Sequence, residues 1–322
     1  MMNKTPSGKI LLSLFGLPPI SSLDDLSKLT HLSKKLLFRL SSFGEKNYFV
    51  YQLPKKGGGY RTIAQPSKEL KAVQAWILRN ILENISVSSA CRGFQKKTNI
   101  TDNAKPHIGA NAVMCLDLED FFPSIKINKV WSIFRTIGYN PRISSILAKL
   151  CTFNGALPQG SPASPKLSNL VCLRMDYRIM GYVSKKGIIF TRYADDLTFS
   201  AYTTTKLIKI FSFINKIISS EDFKINKAKT RFAGASRQHK VTGLVVTQFE
   251  VGIGRKKLRE IRSKIHHLCK LPNDGATVIS DVNHLKGWLS FIRDVDGNRS
   301  NILNNYILTL RAKYPSSAIT FV

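Results

Sequence analysis

The sequence predicts an α+β fold, with helices packed on a small, largely antiparallel sheet and a mostly helical, basic lobe after it. Apolar residues change repeatedly between the two-residue period of strands and the three-and-four spacing of helices. A run of mostly apolar residues, Asn111 to Leu118, ends in acids, and Gly187 to Ala201 forms two short strand-like runs around an Ala-Asp-Asp tip. From Lys224 to Lys270 the composition shifts, with 13 Lys/Arg against 2 acids (Glu250, Glu260).

Taken in order, the first 45 residues read as short helices with Leu23, Leu26, Leu29 and Leu32 as apolar positions. Asn47 to Leu53 alternates like a strand, Lys55 to Gly59 is a turn, and Tyr60 to Ala64 returns. Ser67 opens a helix that puts Leu70, Val73, Ile77 and Ile81 on one face. Ile127, Val130, Phe134 and Ile137 mark another, as do Ile143, Ile146, Leu147 and Leu150. Pro158 to Pro165 interrupts, and one longer helix is expected from there to about Tyr182. Leu207, Phe211, Ile214 and Ile218 give the next. Three short strand-like runs then lead into a basic helix with Leu258, Ile261, Ile265 and Leu268 on one side. Leu271 to Thr277 is a linker, and two helices close the chain, the first using Val282, Leu285, Leu289 and Ile292.

The chain has 322 residues, enough for two or three domains or one domain with lobes. Its 43% hydrophobic content supplies a core and excludes intrinsic disorder. Lys+Arg number 49 and Asp+Glu 20, a net charge of +29 that calls for a polyanionic partner, either nucleic acid or an acidic membrane surface. No stretch has the roughly 18 consecutive apolar residues of a membrane span. Lys9 to Leu17 vaguely resembles a signal peptide but runs into Pro18-Pro19 without a small-x-small cleavage site. The 5 cysteines are widely spaced and form no CxxC, which fits a reducing cytoplasm and argues against a zinc ribbon or a disulfide scaffold.

In a chain with few acids, two tight acidic groups stand out: Asp117-Leu118-Glu119-Asp120 and Asp195-Asp196. An Asp-Asp pair at a hairpin tip is commonly only a turn. Brought together, though, carboxylates about 4 Å apart repel by about 4 kcal/mol at an effective dielectric of about 20. A cation between them removes that strain. All-oxygen ligands select Mg²⁺ or Mn²⁺, and two such ions suit in-line phosphoryl transfer.

Tyr193-Ala194-Asp195-Asp196, preceded by Asp117 to Phe122 with Leu157-Pro158-Gln159-Gly160-Ser161-Pro162 between them, resembles the reverse transcriptases over about residues 48 to 246. Arg61-Thr62-Ile63 with Pro66 and Leu70-Lys71 is similar to their fingers motif. Asn103-Ala104-Lys105-Pro106-His107 and Val241-Thr242-Gly243 match two signatures of bacterial retron reverse transcriptases, especially the enteric-bacterial members. The resemblance implies a right-hand polymerase: an N-terminal helical extension (1–46), fingers with part of the palm insertions (47–110), a palm (111–246) and a thumb that binds RNA and duplex (247–322).

By the same resemblance, Asp117, Asp195 and Asp196 are the catalytic acids. With the Leu118 carbonyl they bind two Mg²⁺ ions, or Mn²⁺. Phe122 is the steric gate against a ribose 2′-hydroxyl, which implies a DNA product. Arg61, Lys71, Gln159, Gly160 and Lys229 bind the nucleotide, and Lys229 protonates the leaving pyrophosphate. Asn103, His107, Val241, Thr242, Gly243, Arg255, Lys256 and Arg259 are the candidate RNA-binding residues. A core or capping role is the alternative for His107, and mere solubility for the basic helix. The implied partners are deoxynucleoside triphosphates, a cognate structured retron non-coding RNA and its cDNA product. Copying starts from a guanosine 2′-hydroxyl and leaves a branched RNA–DNA molecule bound to the enzyme. A separate effector or toxin protein in anti-phage defence, a host RNase H for template removal, no membrane and a cytoplasmic location complete the expectation. A nonenzymatic RNA scaffold or antitoxin would have no use for the three aspartates, and an RNA-templated RNA polymerase would have none for Phe122.

Overall fold

A computed structural model describes residues 12–55, 58–272 and 276–322. Lys56 and Gly57 of the expected turn, 273–275 of the expected linker and the first residues of the signal-like run lie outside the described residues. The described chain forms two compact units: Met1–Thr98, Leu116–Leu197 and Lys209–Thr230 in the first, Asn99–Cys115, Thr198–Ile208 and Arg231–Val322 in the second.

In the first unit, α1 (Leu23–Thr30) and α2 (Lys34–Ser42) start on the side-chain caps of Ser22 and Ser33. A hairpin follows, β1 (Tyr48–Pro54) paired antiparallel with β2 (Tyr60–Pro66). Ser67 caps α3 (Lys68–Asn80), which buries Leu70, Val73 and Ile77, the face set by their spacing. Helix α4 (Ile100–Ala104) belongs to the second unit. Strand β3 (Ala112–Asp117) has Val113, Met114 and Leu116 buried, as its apolar run requires. A single turn, α5 (Phe121–Ser124), leads to α6 (Ile127–Ile137) and α7 (Pro141–Cys151). Gly138, at φ 119°, ends α6, and Asn140 caps α7 ahead of Pro141.

The expected long helix is two, α8 (Ser164–Val171) and α9 (Leu173–Ser184). Cys172 separates them with ψ −6°, a tightened turn that apolar spacing does not register. Strands β4 (Ile189–Tyr193) and β5 (Asp196–Ala201) flank a two-residue turn, and α10 (Thr204–Ser220) buries Leu207, Ile214 and Ile218. After it come β6 (Arg231–Ala233), β7 (His239–Val241), β8 (Leu244–Val246) and β9 (Val251–Gly252). The expected single sheet is three: β1-β2, β4-β5-β3-β6 and β7-β8-β9.

The second unit ends in α11 (Arg255–Leu268), α12 (Ala276–Val295) and α13 (Gly297–Lys313). Ile261, Ile265 and Leu268 of α11 pack with Val282, Leu285 and Ile292 of α12 and Leu303 and Ile307 of α13. Among the described residues no helix is long and apolar enough to cross a membrane. All 5 cysteines are free thiols.

Candidate active site

β3 ends on Asp117, and the β4–β5 turn is Ala194-Asp195. These strands are led together by order β4-β5-β3, and the backbone fixes the junction: the Leu118 amide donates to the Asp195 carbonyl at 3.0 Å. On the other side, the Asn226 amide donates to the Asp117 carbonyl and the Glu119 amide to the Lys224 carbonyl, both at 2.8 Å. This locks the segment carrying Lys229 beside the acids. The Lys229 ammonium donates to both carboxylate oxygens of Asp117, at 2.8 and 3.0 Å. That hydrogen bond, with the charges of Asp117, Asp195 and Asp196, raises Lys229 above the usual ammonium pKa. Burial raises the Asp195 carboxyl, and the Asp117 charge adds to the rise, while Lys229 and Arg61 oppose it.

Asp117 and Asp195 form part of the wall of a cleft of about 860 Å³, together with Arg61, Lys71, Leu118, Phe122, Gln159, Gly160 and Lys229. Every residue expected to hold nucleotide is therefore in one wall. Asp196 opens β5 and is not part of that wall, although its charge reaches Lys229. Phe122 is half-buried, its ring 5.3 Å from Phe121 and 6.2 Å from Phe94 between centroids. Phe94, absent from the expected set, lines the same cleft; an isolated aromatic between basic residues gives no periodic signal.

Gly160 sits at φ 132°, and a Cβ there would stand 2.5 Å from the Ala64 carbonyl oxygen. The neighbouring Gln159 carbonyl accepts from the Ala64 amide at 2.8 Å, so this loop is fastened to β2. The Oε1 atom of Gln159 is buried with no hydrogen-bond partner, an acceptor left for a ligand.

The donor set around Asp117 and Asp195 fits a hard divalent cation. It is all oxygen, and a lysine ammonium already provides positive charge at Asp117. Among the described residues, however, no three acid, histidine or cysteine side chains are gathered closely enough to hold a metal ion by themselves.

The residues expected to bind RNA lie in the second unit. Thr242 (φ 45°) and Gly243 (φ 86°) form the two-residue turn between β7 and β8, the paired positive φ of a type I′ hairpin. Val241 is fully buried, with Leu244, Val246 and Ala104 in one cluster. Asn103 and His107 are fully buried as well. Asn103 Nδ2 makes a long 3.5 Å contact to Thr242 Oγ1, and His107 Nδ1 lies 2.7 Å from Ser200 Oγ. Burial pushes His107 down to about 4. The side chains of Asn103, His107 and Val241 are thus enclosed by the fold. They present no surface, whereas on the turn itself Thr242 is half-buried and Gly243 exposed.

Arg255, Lys256 and Arg259 are exposed on α11. Arg255, Lys256 and Lys257 occupy a first turn that has no acid. Cations at a helix N-terminus oppose the macrodipole, so their placement there is not explained by helix stability.

Residues 53–246 match the family model described as reverse transcriptase (RNA-dependent DNA polymerase). The protein is thus an RNA-directed DNA polymerase, of a class that uses divalent metal ions.

The chain is 49% identical over 301 residues to the retron Ec86 reverse transcriptase of Escherichia coli, covering 93% of this chain and 92% of that one. It is 33% identical over 319 residues to the retron Mx162 reverse transcriptase of Myxococcus xanthus, covering 87% and 65% respectively. The chain belongs to the retron reverse transcriptases. Among solved structures, the foamy viral protease-reverse transcriptase with double-stranded DNA aligns at TM-score 0.45 and 17% identity, over 77% of this chain and 36% of that one.

Proposed function

We propose that this chain copies a cognate structured retron RNA into single-stranded DNA, starting on a guanosine 2′-hydroxyl within that RNA. The reading rests on one observation: Asp117 and Asp195, distant along the sequence, are brought to one cleft by the 3.0 Å bond from the Leu118 amide to the Asp195 carbonyl, with the Lys229 ammonium on Asp117. Two carboxylates facing one cleft attract cations.

Asp117, Asp195, Asp196 and the Leu118 carbonyl would hold Mg²⁺ or Mn²⁺, two ions in all. Bound there, the ions supply a more acidic attacking hydroxyl and stabilise charge on the phosphoryl and leaving groups. Arg61 and Lys71 clamp the triphosphate, Arg61 through its planar fork. Gln159 Oε1 accepts from the incoming nucleotide, and Gly160 lets its backbone approach. Phe122 fills the space a 2′-hydroxyl would need. Lys229 gives a proton to the departing pyrophosphate oxygen, and its contact with Asp117 holds it charged beforehand.

Fingers (47–110), palm (111–246) and thumb (247–322), with the 1–46 extension, are the corresponding division. Thr242 and Gly243 meet the RNA at the hairpin turn, with Asn103, His107 and Val241 beneath them. Arg255, Lys256 and Arg259 bind phosphates of RNA and nascent duplex. The product is branched RNA–DNA, trimmed by host RNase H. The cassette acts in anti-phage defence with a separate effector, in the cytoplasm.

The test is the Asp195→Asn/Asp196→Asn enzyme, purified with its RNA and supplied with deoxynucleotides. It should make no cDNA at an unchanged melting temperature, and cDNA at wild-type yield would overturn the reading.

A further inference from the structure

Behind the Asp195 turn lies a buried polar network that no step above uses. Arg192 on β4 and Asp176 on α9 are both fully buried. Arg192 Nε donates to Asp176 Oδ1 and Nη2 to Oδ2, each at 2.7 Å. Its Nη1 donates twice more, to Asn169 Oδ1 at 3.0 Å and to the Ala194 carbonyl at 3.1 Å. Asn169 Nδ2 in turn donates to the Gly93 carbonyl at 2.9 Å. The 90–92 backbone runs alongside Arg192, with 2.8 Å bonds from the Arg92 amide to the Arg192 carbonyl and from the Arg192 amide to the Ala90 carbonyl.

These contacts converge on one residue. Ala194 has φ 58°, a left-handed conformation that an alanine holds only when its surroundings impose it. The guanidinium holds its carbonyl. Gly93 closes its amide side, where a Cβ on residue 93 would stand 2.7 Å from the Ala194 nitrogen. The next residue is Asp195, whose carbonyl is tied to the Leu118 amide. Rotation at Ala194 therefore moves Asp195 relative to Asp117.

We infer that Arg192, Asp176, Asn169 and Gly93 are positioning residues that set the Asp195 carboxylate for its divalent cation. Only arginine's rigid fork serves four acceptor atoms on three residues at once; a lysine has the charge but not the directions. A buried ion pair is a weak source of stability in itself, so its presence behind an acid turn calls for another role. The inference rests on the reading of Asp195 as a cation ligand.

The experiment compares wild type with Asn169→Ala, which leaves the Arg192–Asp176 pair intact, Arg192→Lys, which keeps the charge, and Asp195→Asn. Mn²⁺ affinity is measured by electron paramagnetic resonance on the RNA-bound enzyme without nucleotide, followed by kcat, KM for deoxynucleotide and melting temperature. Asn169→Ala and Arg192→Lys should each weaken Mn²⁺ and lower kcat about 10–100-fold, the usual loss when a ligand's supporting partner is removed. KM should stay within about twofold, because nucleotide contacts are untouched. Wild-type Mn²⁺ affinity and kcat in both variants, whatever their melting temperature, would overturn the inference. If Arg192→Lys fails to fold, Asn169→Ala decides. Wild-type Mn²⁺ affinity and activity in Asp195→Asn would instead remove the reading of Asp195 itself.

Discussion

Gly160→Ala should separate close packing from chemistry at the nucleotide loop. The added Cβ would stand 2.5 Å from the Ala64 carbonyl oxygen, and ordinary contact begins at 3.4 Å, so the loop and β2 must part by 3.4 − 2.5 = 0.9 Å. Backbone at φ 132° adds strain of about 1–2 kcal/mol for a residue with a side chain. Losing the Gln159–Ala64 backbone bond adds about 0.5–1.5 kcal/mol. The sum, about 1.5–3.5 kcal/mol, corresponds to a melting shift of about 3–14 °C at about 2–4 °C per kcal/mol. Misplacement by about 1 Å reduces turnover about 100-fold where geometry governs the reaction. Differential scanning fluorimetry and primer extension with varied deoxynucleotide read the two effects. Melting within about 1 °C of wild type, with kcat/KM within about threefold, would refute both the steric argument and the placement of this loop at the nucleotide.

Phe122→Ala should leave cDNA synthesis measurable while raising ribonucleotide incorporation by about 10–100-fold in single-nucleotide extension, the discrimination that about 1–3 kcal/mol of steric exclusion supplies. His107 is buried and its folded pKa lies near 4, below the unfolded 6.5. Its contribution to stability is therefore complete above about 6.5 and lost as pH falls toward 4. The full loss is about 3 kcal/mol, and His107→Asn should flatten melting temperature against pH across that window. Asp176→Asn strands the buried Arg192 charge and should destabilise by about 3–5 kcal/mol in chemical denaturation, whereas Asp176→Leu combined with Arg192→Met should recover part of that loss.

Much of the fold was legible because period and capping agree. Ser67 announced one helix and the spacing of Ile143, Leu147 and Leu150 another, and both bury the faces that spacing sets. The unbroken helix expected to Tyr182 failed for the opposite reason: the turn at Cys172 involves no proline, no glycine and no change in apolar rhythm. Division into three sheets was equally hidden, since strand runs of 2 or 3 residues such as Val251–Gly252 and Leu244–Val246 show no pairing partner in the sequence.

At the site, the acids were legible as charge that a basic chain has reason to concentrate, and residue type alone suggested a hard cation. What surrounds them was not. Arg192 reads as one of 49 cations, and nothing in its neighbours says that it is fully buried. Asp176 lies 16 positions away on a helix, Asn169 23 away, and Gly93 contacts the turn from another part of the unit. Such a network exists only once β4, α8 and α9 have packed, because each member is costly to bury until the others are present. The same reasoning bears on the RNA signatures. Asn103 and His107 look like recognition residues in one dimension, yet both are fully buried, Asn103 beside Thr242 and His107 beside Ser200. A short polar motif thus reveals a local requirement without saying whether its side chains meet a ligand or hold the backbone that does. Burial decides between the two.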